Sequence, residues 1–362
     1  MRNLATIQKI HDITPIKDAD RIELIHVLGW QCVAKKGEFR PGDLCVYFEV
    51  DSFLPLRPEF EFLRATSYRK SELLGEGFRL RTARMRGEIS QGLALPIDKA
   101  LTPQEITTLL ESGGRLEEGT DVTELLGVRE WMIPETASSG GTIIAEASSR
   151  IPVTDETRIQ SMPGLLEEFA GLPYYITTKM DGTSCSISMG KDLVLHVYGH
   201  SYEYAAADDC SFYRWLKGRN VEEKLKDLME SRSDLEEISV QGEFCGSGIQ
   251  SNRLRLSSPE WFVFTVNENS RRTSMKEMVA IAEQLGFKTV PIEETGVDLP
   301  SVYPDEKALL TRCEENRCHA YPGVPEGIVI RPQEPVRSNV LHGAPLSMKV
   351  KSNRYLLKTG DD

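Results

Sequence analysis

The chemistry this sequence offers first lies in lysines and carboxylates placed at the ends of apolar runs. In Lys179-Met180-Asp181-Gly182 an extended segment ends on an amine and turns through Asp-Gly, which brings a nucleophile and a carboxylate into one small volume. An amine attacks only after losing its proton, and neighbouring positive charge lowers its pKa toward that state. Alone, the segment also reads as an ordinary Asp-Gly hairpin with a solvated lysine. Gln241-Gly242-Glu243 puts an acid inside an apolar strand, where it is either paired or aimed into a cleft. Glu326-Gly327-Ile328-Val329-Ile330-Arg331 sets another acid just ahead of a β-branched strand. Lys349 and Lys351, two apart on a strand, share one face, as lysines of a solvated edge strand also would. Three lysines and three carboxylates on strand ends suit a nucleoside triphosphate with a hard divalent cation. Asp181, Glu243 and Glu326 would hold Mg²⁺ or Mn²⁺ directly or through its waters, and the lysine pair would neutralise phosphate during transfer.

The elements that must position these groups follow from patterning. Tyr174–Lys179, Ile238–Phe244, Trp261–Val266, Thr289–Ile292, Gly327–Arg331 and Met348–Lys351 read as strands. Val221–Met229 reads as an amphipathic helix and Pro163–Phe169 as a short one. A further helix starts at the N-cap Ser274 and ends at Leu285 before Gly286. Upstream, Arg21–Leu28, Gln31–Lys35, Asp43–Val50, Phe78–Met85 and Gly92–Pro96 are short strands with Gly/Pro punctuation, as in a small β-barrel. Thr102 caps a helix over Pro103–Leu110, while Arg57–Arg64 and Tyr68–Leu74 read as loop or short helix. Ala137-Ser138-Ser139-Gly140-Gly141-Thr142 is flexible by composition, so residues 129–150 are expected to link a domain over 1–128 to one over 151–362. Strands and helices without regular βαβ alternation predict an α+β class.

Composition sets outer bounds. The chain has 362 residues, 40% of them hydrophobic and 27% charged, with no apolar run long enough for a membrane helix. A net charge of −12 argues against indiscriminate coating of nucleic acid, yet residues 1–110 carry 16 basic against 15 acidic residues. A polyanion is therefore expected to meet local clusters in the first part of the chain. Seven scattered cysteines look like reduced thiols, and the N-terminus lacks the features of a secretory signal, so a cytoplasmic or other reducing compartment is expected. Cys313, Cys318 and His319 lack a fourth ligand at a familiar zinc spacing.

Taken in order, Lys179–Gly182, the Glu243 strand, Trp261–Val266, Glu326–Arg331 and Lys349-Val350-Lys351 resemble motifs I, III, IIIa, IV and V of the covalent nucleotidyltransferases. Residues 155–160, 246–253 and 352–357 narrow the resemblance to ATP-dependent RNA ligases of the Deinococcus/Naegleria type, in which an OB module precedes the transferase domain. The fold it implies is an N-terminal OB-type barrel followed by an adenylyltransferase domain of antiparallel sheets flanked by helices. By this resemblance Lys179 becomes Lys–AMP, AMP passes to an RNA 5′-phosphate, and a 3′-OH displaces it, as at nicks in duplexes. Asp181, Glu243 and Glu326 would organise the metal, and Lys349 and Lys351 would contact the α-phosphate. Arg158 would bind the triphosphate with Gln160 nearby, and Phe264 would pack on adenine, although Phe264 reads equally as core.

Thr178 stands where these ligases often carry Glu, and Tyr198-Gly199-His200-Ser201 replaces a usual Ser-Arg pair; His200 reads as a surface histidine. Residues 18–52 resemble the ligases' OB module, and Arg79, Arg81, Arg84 and Arg86 fall within eight positions without an intervening acid. That row suits an RNA backbone, though regular alternation would turn Arg84 away from Arg79 and Arg81. DNA ligases and capping guanylyltransferases carry their OB domain after motif V, for which this chain leaves little room. A non-enzymatic RNA-binding protein with a degenerate transferase is the alternative of another class. No obligate protein partner is indicated by the sequence.

Overall fold

The computed structural model describes residues 2–132, 141–147, 151–152, 155–315 and 318–358. Two compact units emerge: Met1–Pro134 with Gln160–Pro163 and Leu356–Asp362, and Glu135–Ile159 with Gly164–Tyr355.

In the first unit, strands Leu93–Pro96, Leu44–Phe48, Ala5–Pro15, Ile22–Val27 and Trp30–Lys35 form one sheet in that order. Its pairings are antiparallel, and Leu93–Pro96 also lies against Trp30–Lys35, curling the five strands toward a barrel. A register shift between Ile10 and Asp12 bends the long first strand, so its two halves serve different partners. Ile7, Val46, Phe48 and Phe78 pack in one core, and Ile10, Ile25, Trp30 and Tyr47 in another. A second sheet orders Arg129–Glu130, Ser52–Pro55, Gly75–Arg79 and Tyr68–Ser71. Thr102 closes a capping box with Glu105, as expected of the Pro103–Glu111 helix.

Two expectations for this unit change. Tyr68–Ser71 is a strand rather than a loop, because Gly75–Arg79 offers it a ladder. Phe78–Met85 is two strands in two sheets: the first ends at Arg79, and Ala83–Met85 pairs only with Glu88–Ser90. Arg86 at φ 50° and Gly87 at φ 88° form that hairpin's two-residue turn, whose left-handed geometry turns the chain back.

The second unit holds two sheets. The larger runs Ile143–Glu146, Tyr202–Tyr204, His196–Tyr198, Thr183–Gly190, Glu237–Cys245, Glu260–Glu268 and Arg271–Arg272, with Lys288–Thr289 also on Glu260–Glu268. The smaller orders Thr157–Arg158, Met348–Lys351, Gly327–Pro332, Tyr174–Lys179 and Ile292–Gly296. Most pairings are antiparallel as expected, but Thr157–Arg158 and Lys288–Thr289 join their neighbours in parallel. Helices Ser211–Lys217, Val221–Ser231 and Met275–Leu285 contribute to the larger sheet's core, where Trp261 meets Phe212 and Phe287 edge-on at 5.1 and 5.0 Å. A Cβ on Gly242 would approach Trp261 Nε1 to 2.5 Å, so only glycine lets this ring lie under the Glu243 strand.

Ser274 and Glu277 form a capping box, and Gly286 closes that helix at φ 77°. The strand expected over Thr289–Ile292 is broken by Pro291, which has no N–H for a ladder, into Lys288–Thr289 and Ile292–Gly296. Pro163–Phe169 forms two 3₁₀ turns, Pro163–Leu165 and Glu167–Phe169, rather than one continuous helix. Residues 133–140 and 148–150 of the expected linker lie outside the described residues, whereas Arg129–Glu130 and Ile143–Glu146, expected within it, are strands. All seven cysteines are free and buried, and Cys313 donates to Val350 O while His319 contacts Glu293.

Candidate active site

The smaller sheet of the second unit builds the site by register. Lys179 lies opposite Gly327, and Gly327 lies opposite Lys351, so the two lysines flank a residue without a side chain. A Cβ at Gly327 would meet Val350 O at 2.0 Å, so glycine is required where these strands meet. Glu326, one residue earlier, bridges the flanking amines: Lys179 Nζ donates to Oε2 at 2.5 Å, and Lys351 Nζ lies 2.6 Å from Oε1. Burial alone would raise the Glu326 pKa, but the two ammonium groups hold it far below the usual carboxylate range.

The same geometry corrects the expectation for the nucleophile. Burial pulls Lys179 down, but the charges of Glu326 and Glu243 and the bond to Glu326 outweigh it and hold Lys179 above its ordinary value. The depressed lysine is Lys349, at about 8, through burial and then the charges of Lys351 and Lys179. Lys349 lies opposite Val329 on one side and Arg158 on the other, which places the buried Arg158 beside the lysine pair.

The larger sheet and the turn after Lys179 supply the other acids. Glu243 Oε1 accepts the Gly182 N–H at 3.1 Å, and burial, with Glu326 and Asp181 nearby, pushes its pKa up to about 7 against the pull of Lys179. Gly182 is there for close approach, since a Cβ would stand 2.4 Å from Phe244 O. Asp181 accepts from the Tyr355 hydroxyl at 2.8 Å and the Ser251 hydroxyl at 3.4 Å, with Arg253 Nε 3.7 Å away. Its pKa is raised by burial and by Glu326. These partners of Asp181 were not assigned roles from sequence, although Ser251, Arg253 and Tyr355 lie in the segments that narrowed the resemblance.

Three buried or half-buried carboxylates whose charges repel one another are a hard oxygen-donor set that a divalent cation would relieve. Among the described residues no three His, Cys, Asp or Glu side chains form a group that could hold a metal ion directly. Phe264 is partly buried beside the cluster of Met180 and Phe262, with the Arg331 guanidinium 5.7 Å from its ring. Gln160 falls in the first unit, where its carbonyl accepts the Gly29 N–H at 2.9 Å. Thr178 Oγ1 donates to Glu293 at 2.6 Å, so a carboxylate from another strand meets the position where related ligases often carry Glu. His200 is exposed, 3.5 Å from Asp155, as expected of a surface histidine.

The arginine row in the first unit is not one groove face. Arg79 is partly buried with its guanidinium 4.9 Å from the Trp131 ring, Arg81 follows the end of its strand, and Arg84 and Arg86 belong to the exposed hairpin beyond. The break at residues 80–82 separates them, because the strand changes sheets there. Burial lowers the Arg79 pKa, aided by the charges of Arg81 and Arg69, so the local cationic cluster gathers residues from two strands.

An RNA ligase family profile matches residues 172–351, and an OB-fold domain profile matches residues 4–97. No curated protein matches the chain. Among solved structures, a ligand-free variant of Naegleria gruberi RNA ligase has a TM-score of 0.85 and 31% identity, covering 100% of this chain and 99% of that one. The same ligase with PPi has a TM-score of 0.84 at 30% identity, covering 100% of both chains. A variant of it solved with ATP and Mn has a TM-score of 0.84 at 30% identity, covering 99% of this chain and 100% of that one. The ordered lysines and carboxylates on these two sheets, with an OB-fold domain before them, accordingly place the chain in the RNA ligase family.

Proposed function

We propose that the chain is an ATP-dependent RNA ligase that seals 3′-OH and 5′-phosphate ends, at nicks in duplexes, through a lysyl-AMP intermediate on Lys179. The observation that carries this reading is Glu326 bridging Lys179 and Lys351, which fixes the nucleophile at a cationic strand edge. Structures of the Naegleria ligase with ATP or AMP and Mn support ATP and a divalent cation as its requirements.

Glu326 holds the Lys179 ammonium in place, and the amine attacks after that proton leaves. The new bond joins Lys179 Nζ to the α-phosphorus of ATP, and the bond to pyrophosphate breaks. Lys349 and Lys351 then face the charge gathering on the α-phosphate, and Arg158 stands beside them for the triphosphate. Burial and the charges of Lys351 and Lys179 disfavour the charge on Lys349, and approaching phosphate oxygens would relieve that cost, so its interaction strengthens where the reaction needs it. Asp181, Glu243 and Glu326 are the residues to hold a hydrated Mg²⁺ or Mn²⁺, which when bound supplies positive charge to the triphosphate. Phe264 packs on the base. AMP passes from Lys179 to an RNA 5′-phosphate, and a 3′-OH displaces it.

RNA is the polyanion that the Arg79, Arg81, Arg84 and Arg86 region would contact, now as separate sites around Trp131 and the exposed hairpin. Buried free thiols support residence in a reducing compartment. No helix among the described residues is long and apolar enough to cross a membrane.

Incubation with ATP labelled at the α-phosphate, with Mg²⁺ or Mn²⁺, then a denaturing gel, should label the protein, and Lys179→Ala should abolish the label. Nicked duplexes with ribose or deoxyribose on each side of the break then identify the strand sealed. Labelling from GTP alone would make the protein a capping-type guanylyltransferase instead, and binding of nicked RNA without any sealing would make it a non-enzymatic binder.

A further inference from the structure

The strand that ends on Lys179 is held unequally on its two sides. Toward Gly327–Pro332 the pairing runs unbroken, with Thr178 opposite Ile328 and Lys179 opposite Gly327. Toward the edge strand Ile292–Gly296 the register shifts: Ile176 lies opposite Glu294 and Thr177 opposite Ile292, so Glu293 is an extra, unopposed residue. One further backbone bond follows, from Thr178 N–H to Pro291 O at 2.9 Å, and Pro291 has no N–H to return it. A bulge of this kind re-aims a side chain, and here that side chain is a carboxylate.

Glu293 Oε1 accepts the Thr178 hydroxyl at 2.6 Å, and His319 Nδ1 lies 2.5 Å from Oε2. The Glu293 side chain is 2% exposed, whereas that of His319 is 82% exposed. No lysine or arginine pairs with Glu293 among the described residues. Burying an acid without such a counter-ion is costly, and a hydrogen-bonded hydroxyl offsets only part of that cost. Thr178 is itself buried, and strand alternation turns it to the face opposite Lys179. Glu293 therefore grips the nucleophile's strand from behind, one residue before the amine, where the edge ladder has run out.

We propose that Glu293 is a positioning residue for self-adenylylation: through the Thr178 hydroxyl it fixes the backbone that presents Lys179, and His319 keeps its carboxylate from rotating away. The proposal rests on the reading of Lys179 as the nucleophile. Attack needs the amine in line with the α-phosphorus and within about 3–3.5 Å of it, so a small displacement of the strand end slows the step without weakening the hold on ATP. The later displacement of AMP by a 3′-OH does not use Lys179 as nucleophile, and it escapes this control.

Single-turnover labelling by ATP, and sealing of a nicked RNA that already carries AMP on its 5′-phosphate, test the assignment together on the full chain. Thr178→Val, nearly isosteric but without the hydroxyl, should label at least tenfold more slowly at saturating ATP, with the half-saturating ATP concentration within twofold of wild type. Thr178→Ser should recover most of the rate. Thr178→Val should seal the pre-adenylated nick within twofold of wild type, a result that a general loss of structure would not give. Glu293→Ala should slow labelling at least as much as Thr178→Val, and the double variant should be no slower than Glu293→Ala, because both changes remove one interaction. If Glu293→Ala does not fold, the two Thr178 variants decide the matter. Labelling at the wild-type rate in Thr178→Val would overturn the proposal. So would Thr178→Ser labelling as slowly as Thr178→Val, an equal loss in sealing of the pre-adenylated nick, or losses that multiply in the double variant. A wild-type protein that takes no label from ATP would overturn the ligase reading and this proposal with it, whereas the variant outcomes bear on Glu293 alone.

Discussion

Two clusters in the second unit each set two cations against one carboxylate, at opposite ends of the strand pair Tyr174–Lys179 and Gly327–Pro332. At one end Glu326 bonds both Lys179 and Lys351. At the other, Glu156 forms an ion pair with Arg331, while Arg272 forms none among the described residues and feels the Glu156 charge at longer range. The cause lies in where the acid is anchored. Glu326 sits in the chain between the two lysine strands, with its N–H 3.3 Å from Lys179 O and its carbonyl accepting the Ser352 N–H at 3.0 Å, so its carboxylate is centred by the backbone itself. Glu156 arrives just before the short edge strand Thr157–Arg158 and reaches one guanidinium. A centred acid makes a closed, self-satisfied triad, whereas an off-centre acid pairs directly with one cation and reaches the second only at longer range.

Removing the centre of the closed triad should have the largest effect. Glu326→Gln leaves two half-buried ammonium groups without their acid, and a broken buried pair costs on the order of 3–5 kcal/mol. Unfolding in urea at pH 7 should show that loss, together with loss of self-adenylylation. A variant as stable as wild type would mean that the two lysines find other partners and that Glu326 does not organise them. Lys179→Ala separates chemistry from stability: labelling should vanish, while the midpoint of unfolding should move far less than in Glu326→Gln. If Lys179→Ala lost as much stability as Glu326→Gln, the ion pair would be mainly structural.

The other triad should respond less. Glu156→Gln frees Arg331, but that guanidinium keeps its bonds to Phe264 O, Thr265 and Ser347, so the stability cost should be smaller, about 2–3 kcal/mol. Because Arg331 holds the Phe264 backbone, KM for ATP should rise while the rate at saturating ATP falls little. A change confined to the saturated rate would show that Arg331 does not act through the base-packing residue.

Why one triad was visible in the sequence and the other was not has a physical reason. Lys349 and Lys351 lie two apart on one apolar strand, so periodicity predicts that they share a face, while Lys179 and Glu326 stand at the ends of apolar runs. Glu243 was equally legible, as an acid in a run that must be buried. The partners that fine-tune the site come from irregular segments: Ser251 and Arg253 after the Glu243 strand, Tyr355 at the last helix, and Glu156 before a two-residue strand. No period marks such residues, and only tertiary closure shows what they touch. The placement of the arginines at 79–86 was hidden for the opposite reason. Their spacing was regular, but the strand they were read on changes sheets after Arg79. Gln160 lies two positions after Arg158 and clusters with the other compact unit.

Beside the closed triad, Lys349 gives the pH-dependent test. Its pKa falls from an ordinary value near 10.5 to about 8 in the folded protein. Below pH 8 the amine is charged both folded and unfolded, and the folded state bears the full cost of burying that charge. Between pH 8 and 10.5 the unfolded state holds more proton, so raising the pH relieves the cost and this group's contribution to stability improves. Replacing Lys349 by Met should therefore stabilise the protein at pH 7, by at most about 3 kcal/mol, while impairing adenylylation. The gain should shrink steadily between pH 8 and 10.5. A gain independent of pH would mean that the substitution acts through packing instead of charge.

The smallest effects are expected in the first unit, where neither triad exists. Arg84 belongs to the exposed hairpin and donates to Gly87 O at 3.1 Å, so Arg84→Gln should change stability by less than about 0.5 kcal/mol. Arg79→Gln should cost more, since it removes a guanidinium packed on Trp131. If RNA uses this region, Arg81→Gln combined with Arg84→Gln should reduce sealing well below wild type and leave self-adenylylation near it, because the residues proposed for ATP chemistry belong to the second unit. Equal loss of both activities would assign these arginines to folding. Unchanged sealing would instead move the RNA contact to the Arg69, Arg79 and Trp131 cluster, where the strand break had already gathered positive charge.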